Sequence, residues 1–268
     1  MSESFETEIL YTLASYTIGF QKEVTDERYG RNMTPCGSGV LVQIGPIKGV
    51  LTAAHVLIEL QKARTAGIFT VKPGRERAPS IEFSTERMRC LTQGGANAEG
   101  PDLGIVRLPL EVEQYLTAEH LFYNFDIRNS NAAGQKEPPL SYEILAGVVS
   151  EKSQLKSITN VSRVDTHSMD IVGGRSSNLV EANDGFDYFE FEVHHNQNVL
   201  RPSTYGGLSG SAIWKIGDTN SVNDRLVFGI AIRESSLDAD GKRKIRCHGP
   251  QSVYCRLPDL LKSNHGTI

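Results

Sequence analysis

Three residues in this chain have the side chains and the setting for nucleophilic catalysis. Ser209 lies in Gly206-Gly207-Leu208-Ser209-Gly210, between small residues and just ahead of the apolar run Ala212-Ile213-Trp214. A serine hydroxyl is a poor nucleophile until a base takes its proton. Glycines around it permit backbone angles that other residues avoid, so the turn can aim the Gly207 and Ser209 amides at one point where negative charge develops. The candidate base is His55, at the end of Leu51-Thr52-Ala53-Ala54, where small neighbours leave room for an imidazole at a cleft edge. The candidate orienting acid is Asp102, directly before the apolar run Leu103 to Leu108. A carboxylate there either caps a turn or accepts a hydrogen bond from one ring nitrogen of His55. The second role fixes the tautomer and stabilises the imidazolium formed on proton transfer.

The elements that must position these groups read as short strands. Gly39 to Gln43 and Gly49 to Ala53 flank Ile44-Gly45-Pro46-Ile47 as a hairpin. Leu103 to Leu108 reads as a buried strand. Asp187 to Val193 alternates, with Phe189, Phe191 and Val193 on one face. Ser211 to Lys215, Leu226 to Ile232 and Ser252 to Leu257 read as later strands. Helical signals are brief: a short helix before the first strand, Val56 to Ala63, Glu111 to Glu119 and Pro258 to Ser263. The polar segment 129–139, NSNAAGQKEPP, is the clearest seam. It divides an N-terminal unit, 1–128, that carries His55 and Asp102 from a C-terminal unit, 140–268, that carries Ser209.

Composition narrows the function classes. With 39% apolar and 22% charged residues among 268, the chain reads as globular. A net charge of −4 argues against a nucleic-acid binder. No run approaches the ~20 apolar residues of a membrane-spanning helix, so no membrane partner is expected. Glu3, Glu6 and Glu8 precede the first basic residue, Lys22, which argues against a secretory leader. The four cysteines lack C-x-x-C spacing, so they are read as reduced thiols of a cytoplasmic protein, with no metal or cofactor expected. Asp238 to Gly241 fits a hairpin turn better than a calcium loop, because Cys247 stands where the bidentate Glu belongs. Lys242, Arg243, Lys244 and Arg246 form a basic cluster, read as a solvated turn ahead of an acidic docking site.

TAAH at 52–55, DLGIVRL at 102–108 and GLSGSAIW at 207–214 resemble the three motif blocks of the chymotrypsin-like serine proteases. The resemblance spans Cys36 to Leu261 and is nearest to bacterial intracellular and HtrA-like protease domains. It implies an all-β fold of two antiparallel six-stranded β-barrels, with the active site in the cleft between them and a short C-terminal helix. It also implies a serine endopeptidase acting through an acyl-enzyme. His55 would be general base, Asp102 its orienter and Ser209 the nucleophile, with the Gly207 and Ser209 amides as oxyanion hole. The implied partner is a protein or peptide substrate.

Departures from the family pattern carry information. Leu208 stands where digestive members place an aspartate that pairs with a newly cut N-terminus, so trypsin-type activation is not expected. Ile171-Val172-Gly173-Gly174 matches the cut site but follows both His55 and Asp102, and is read as a strand end before a glycine turn. By position, Ser203, Ile232, Arg233, Glu234 and His248 are candidates for substrate binding. Glu234 either narrows the pocket or faces solvent; His248 either meets an acidic side chain or sits in a loop without that role. The competing reading is a conditional or silent protease-fold interaction module controlled by a protein partner. An α/β-hydrolase esterase fits poorly, since it needs G-x-S-x-G and the order Ser, acid, His, whereas here Ser211 follows and the order is His, Asp, Ser.

Overall fold

The computed structural model describes residues 3–26, 30–70, 80–95, 100–127, 141–150, 154–158, 162–166, 169–182, 184–194, 204–217, 225–235 and 243–264. Helix α1 (Glu3–Ala14) leads into β1 (Thr17–Asp26), β2 (Gly30–Ile44), β3 (Ile47–Thr52), α2 (Ala54–Gln61), β4 (Thr65–Thr70) and β5 (Ser80–Ser84). Strands β6 (Arg89–Gly94) and β7 (Asp102–Arg107), helix α3 (Leu110–Glu119) and β8 (Tyr123–Asn124) complete the first half. The second half holds β9 (Ser141–Val148), β10 (Gln154–Ile158), β11 (Ser162–Thr166), β12 (Met169–Ser176), β13 (Val180–Glu181), β14 (Asp187–Val193), β15 (Ala212–Gly217), β16 (Arg225–Glu234) and β17 (Lys244–His248). It ends in α4 (Leu257–Ser263).

The chain is all-β in class. In the second half the strands pair in the order β12-β9-β15-β16-β17-β14, and β14 returns to β12. This closes a six-stranded antiparallel barrel, with β16 running on past its pairing with β15 from Ile232 to Glu234. The first sheet runs β5-β4-β1-β2-β3-β7-β6 and carries eight strands rather than six. Its ladder is open between β5 and β6 among the described residues. The extra strand β8 has a simple cause: β1 pairs with β2 only as far as Val40, and β8 takes the vacated edge at Val42 and Gln43.

Local pattern accounts for most elements. The β2–β3 hairpin turns at Gly45 with φ +56, a left-handed angle, and β14 has the bounds and buried apolar face its alternation predicts. The Ile171 to Gly174 stretch stays extended to Ser176 within β12, rather than ending in a glycine turn. Ser252 to Leu257 is not a strand. The last strand is Lys244–His248, and Ser252–Arg256 is a wide helical turn running into α4. The reason is a distant cap. The Asp187 carboxylate, on β14, accepts the amides of Gln251 and Ser252 at 3.0 and 2.7 Å, satisfying donors that a helix start leaves open.

The two sheets share one core. Trp214 of β15 is fully buried, with Tyr16 and Tyr123 of the first half each 5.5 Å away between ring centroids. Ile9 and Leu13 of α1 join the same cluster. Tyr254 Oη donates to Val227 O at 2.9 Å and lies 3.0 Å from Tyr123 Oη, so the buried phenols are hydrogen-bonded across the seam. The segment 129–139 lies outside the described residues. No helix among the described residues is long and apolar enough to cross a membrane.

Candidate active site

Asp102 opens β7 and is buried, and His55 is the second residue of α2. Ala53, ahead of that helix, offers no side-chain cap. Asp102 supplies one: its Oδ1 accepts the His55 backbone amide at 2.8 Å, and a carboxylate at a helix start is favoured by the helix dipole. Its Oδ2 lies 2.6 Å from His55 Nδ1. With Nδ1–H donating to the carboxylate, the Nε2 lone pair is available to take a proton. The glycines Gly94 and Gly95 let the chain pass this point. Both have positive φ, and a Cβ would fall 1.6 Å from Pro101 O at the first and 2.8 Å from His55 N at the second. The paired glycines in Gln93-Gly94-Gly95 were the sequence signal for this close approach.

Ser209 is half-buried in the loop between residue 204 and β15. Two features fix that loop. Leu208 is buried in the second barrel's core beside Tyr205 and Ile213, so an apolar anchor stands where an ion pair is absent. Gly210 has φ +86 and packs on the first sheet, where a Cβ would fall 1.9 Å from Thr52 Oγ1 and 2.2 Å from Ser38 O. Ser38 of β2 then ties the loop to the first sheet. Its amide donates to Ser209 O at 2.8 Å, and its hydroxyl donates to Gly207 O at 2.7 Å while accepting from the Val148 amide at 2.9 Å. Gly37 lies between the two halves of the site: a Cβ there would fall 2.7 Å from Val56, next to His55, and 3.2 Å from Ser209 O. Asp102 thus holds His55 directly, and Gly37 and Ser38 bring the Ser209 loop against the sheet and helix that carry them.

The peptide geometry of the loop directs two amides. In a trans peptide C=O and N–H point in opposite directions. Gly206 O accepts from Ser150 N at 2.8 Å, so the Gly207 N–H faces away from Ser150. Leu208 O accepts from Ser211 N at 2.9 Å, so the Ser209 N–H also faces away from its own loop. Gly207 has φ +94, and a Cβ there would strike Ser150 and Val148. Neither amide is bonded to a carbonyl among the described residues.

At the second barrel, pairing of β16 with β17 shifts register between Ala231 and Arg233. At this bulge the Ile232 carbonyl accepts the Ser209 hydroxyl at 3.2 Å. Arg233 is exposed. Glu234 is committed to its own chain: it accepts from Tyr205 N at 3.0 Å and Thr204 Oγ1 at 3.1 Å, and it pairs with Arg243. Lys244 pairs with Glu190, and Arg246 lies over the Tyr188 ring, so the basic cluster is largely partnered. Ser203, Lys242 and residues 236–241 lie outside the described residues.

His248 is fully buried, not at a substrate-facing position. Both ring nitrogens are engaged, Nε2 by the Asp102 amide at 2.9 Å and Nδ1 by Ser252 Oγ at 3.1 Å. It has no atom left to meet a substrate side chain. Burial lowers its pKa to about 4, so the ring is neutral at neutral pH. Burial likewise pushes the Cys36 thiol, beside Gly37, up to about 12 and Cys90 up to about 11. A thiol so placed is not a thiolate nucleophile, which leaves Ser209 as the nucleophilic candidate at this cleft.

No protein-family model matches this chain, and no curated protein matches it. A solved structure from work on the coupled folding and binding of the Sesbania mosaic virus VPg protein aligns with 91% of this chain and 90% of its own, at 13% identity and a TM-score of 0.43. A likeness at that level adds nothing to the fold read from the strand pairing.

Proposed function

We propose that this chain is a serine endopeptidase. The observation that carries the reading is the double hold of Asp102 on His55, through the ring at 2.6 Å and the backbone amide at 2.8 Å. That hold engages Nδ1 and leaves Nε2 to act as the base. His55 takes the Ser209 proton as Oγ attacks the scissile carbonyl carbon. The carbonyl electron pair moves to oxygen, where the Gly207 and Ser209 amides receive it. Collapse breaks the C–N bond, and His55 passes its proton to the departing amine. Water then attacks the acyl ester, giving a proton to His55 that returns to Ser209 as the acid leaves. The substrate backbone lies along Ile232 to Glu234, on the edge of β16 that turns the Ile232 carbonyl to Ser209. The four cysteines, all thiols, accord with a reducing, cytoplasmic setting.

A fluorophosphonate tests this reading. Ser209 Oγ displaces fluoride from phosphorus, so the wild-type protein gains the probe and Ser209→Ala and His55→Ala do not. A folded wild-type protein that takes up no probe across a pH series overturns it. Cleavage-site profiling on a peptide library, with Ser209→Ala as control, then reads the preference on either side of the scissile bond.

One observation favours a second reading, a protease fold whose activity waits on a partner. The Ser209 hydroxyl donates to Ile232 O, and it must turn away before His55 can take its proton. Under this reading, labelling rises when a binding partner or an extended peptide occupies the β16 edge.

A further inference from the structure

The second barrel reaches the proposed acid through the His248 side chain. The Asp102 backbone amide donates to His248 Nε2 at 2.9 Å, across the seam between the sheets. A backbone N–H is always a donor, so Nε2 must be the unprotonated nitrogen. The ring hydrogen is therefore on Nδ1 and is given to Ser252 Oγ at 3.1 Å. The Ser252 hydroxyl in turn donates to Asp187 Oδ1 at 2.7 Å. Asp187 is itself held by the amides of Gln251 and Ser252. The Asp187 carbonyl oxygen offers the Ser252 hydroxyl a second acceptor at 3.0 Å, and by either acceptor the chain of donors runs from the Asp102 amide to Asp187 on β14.

The imidazole has little freedom to move. It closes β17, whose pairing sets His248 opposite Tyr188 on one side and Ile230 on the other. The Tyr188 and Phe186 rings lie 4.7 and 5.4 Å from it, and none of its surface reaches solvent. Asp102 therefore makes three anchored contacts. Its two carboxylate oxygens hold His55, and its amide is held by His248.

We propose that His248 is a positioning residue for Asp102: it accepts the Asp102 amide so that the carboxylate meets both donors of His55, and it thereby makes the orientation of the base depend on correct docking of the second barrel. This inference rests on the endopeptidase reading for its kinetic consequence, but its structural consequence at His55 does not.

Two variants separate the acceptor from mere filling of space. In His248→Gln the amide oxygen can reach the place of Nε2 and accept from Asp102; in His248→Leu nothing can. NMR of the proton between His55 Nδ1 and Asp102 gives a readout independent of turnover. Its far-downfield resonance is expected to persist in the wild type and in His248→Gln, and to shift upfield or vanish in folded His248→Leu. On a cleaved peptide, His248→Leu is expected to lose about 100-fold in kcat with KM little changed, the scale for a slightly misplaced catalytic group, and His248→Gln to recover most of it. Should His248→Leu fail to fold, His248→Phe carries the test, since it keeps a ring between Tyr188 and Phe186 but offers the Asp102 amide no acceptor; the resonance is then expected to weaken. An unmoved resonance in folded His248→Leu or His248→Phe overturns the proposal. So does equal loss in the Leu and Gln variants. A moved resonance in a protein that takes up no fluorophosphonate upholds the positioning role and overturns the endopeptidase reading alone.

Discussion

Asp102 grips His55 at two points, the imidazole Nδ1 at 2.6 Å and the backbone amide at 2.8 Å. One carboxylate thus starts helix α2 and sets the tautomer of its second residue. The sequence sets a turn cap against a partner for the His55 ring; the carboxylate instead caps helix α2 with one oxygen and meets the ring with the other.

Asp102→Asn separates these roles. The amide oxygen can still accept the His55 backbone N–H, while the charge facing the ring is gone. The expected result is a loss of about 10⁴-fold in kcat, the scale for a triad histidine left in the wrong tautomer, with a small change in Tm. Asp102→Ala loses the cap as well and is expected to cost a further ~1 kcal/mol. Steady-state kinetics and thermal unfolding of the two variants check this.

Ser38 bonds Gly207 O and Val148 N with one hydroxyl. Ser38→Ala leaves a carbonyl and an amide unpaired at the barrel seam. Denaturant unfolding is expected to show a loss of about 2 kcal/mol or more. The fluorophosphonate rate is expected to fall too, because the Gly207 peptide loses its restraint.

Gly210→Ala places a methyl group against Thr52 and Ser38 at a left-handed backbone angle. It is expected to cost about 2 kcal/mol or more. Gly45→Ala has φ +56 but nothing within 4 Å, and is expected to cost only about 1 kcal/mol. The difference between the two midpoints in urea isolates the packing cost.

His248 gives stability a pH dependence of definite sign. Its folded pKa, about 4, lies below the ordinary 6.5, chiefly through burial, against the pull of Asp102 and Asp187 and with a push from Arg246. The Tyr188 and Phe186 rings and the Ser252 hydroxyl also face it. Between the two pH values the unfolded chain binds a proton that the folded chain does not, so stability rises with pH. The contribution is complete above about 6.5 and is lost as pH falls toward 4, amounting to about 3 kcal/mol. The stability gained from pH 4 to 7 is expected to be larger by this amount in wild type than in His248→Gln; parallel curves contradict it.

Much of this protein can be read directly from its sequence, for a physical reason. Strand alternation at Asp187 to Val193 and the glycines at 207 and 210 report backbone energetics, which belong to a few neighbouring residues. His55, Asp102 and Ser209 stand out because their local settings are unusual. Tertiary structure alone decided the rest. Ser252–Arg256 looks extended by composition, yet turns helical because Asp187, distant along the chain, supplies its cap. His248 reads either as a contact for an acidic substrate side chain or as a loop residue without that role, yet it closes a strand and is buried against the Asp102 amide. Ser38 shows no chemistry in its own neighbourhood, and its role exists only where β2 meets the Ser209 loop. A hydrogen-bond partner contributed by the other barrel leaves no mark on local periodicity, and it is those partners that hold the Ser209 loop to the first sheet and Asp102 to the second.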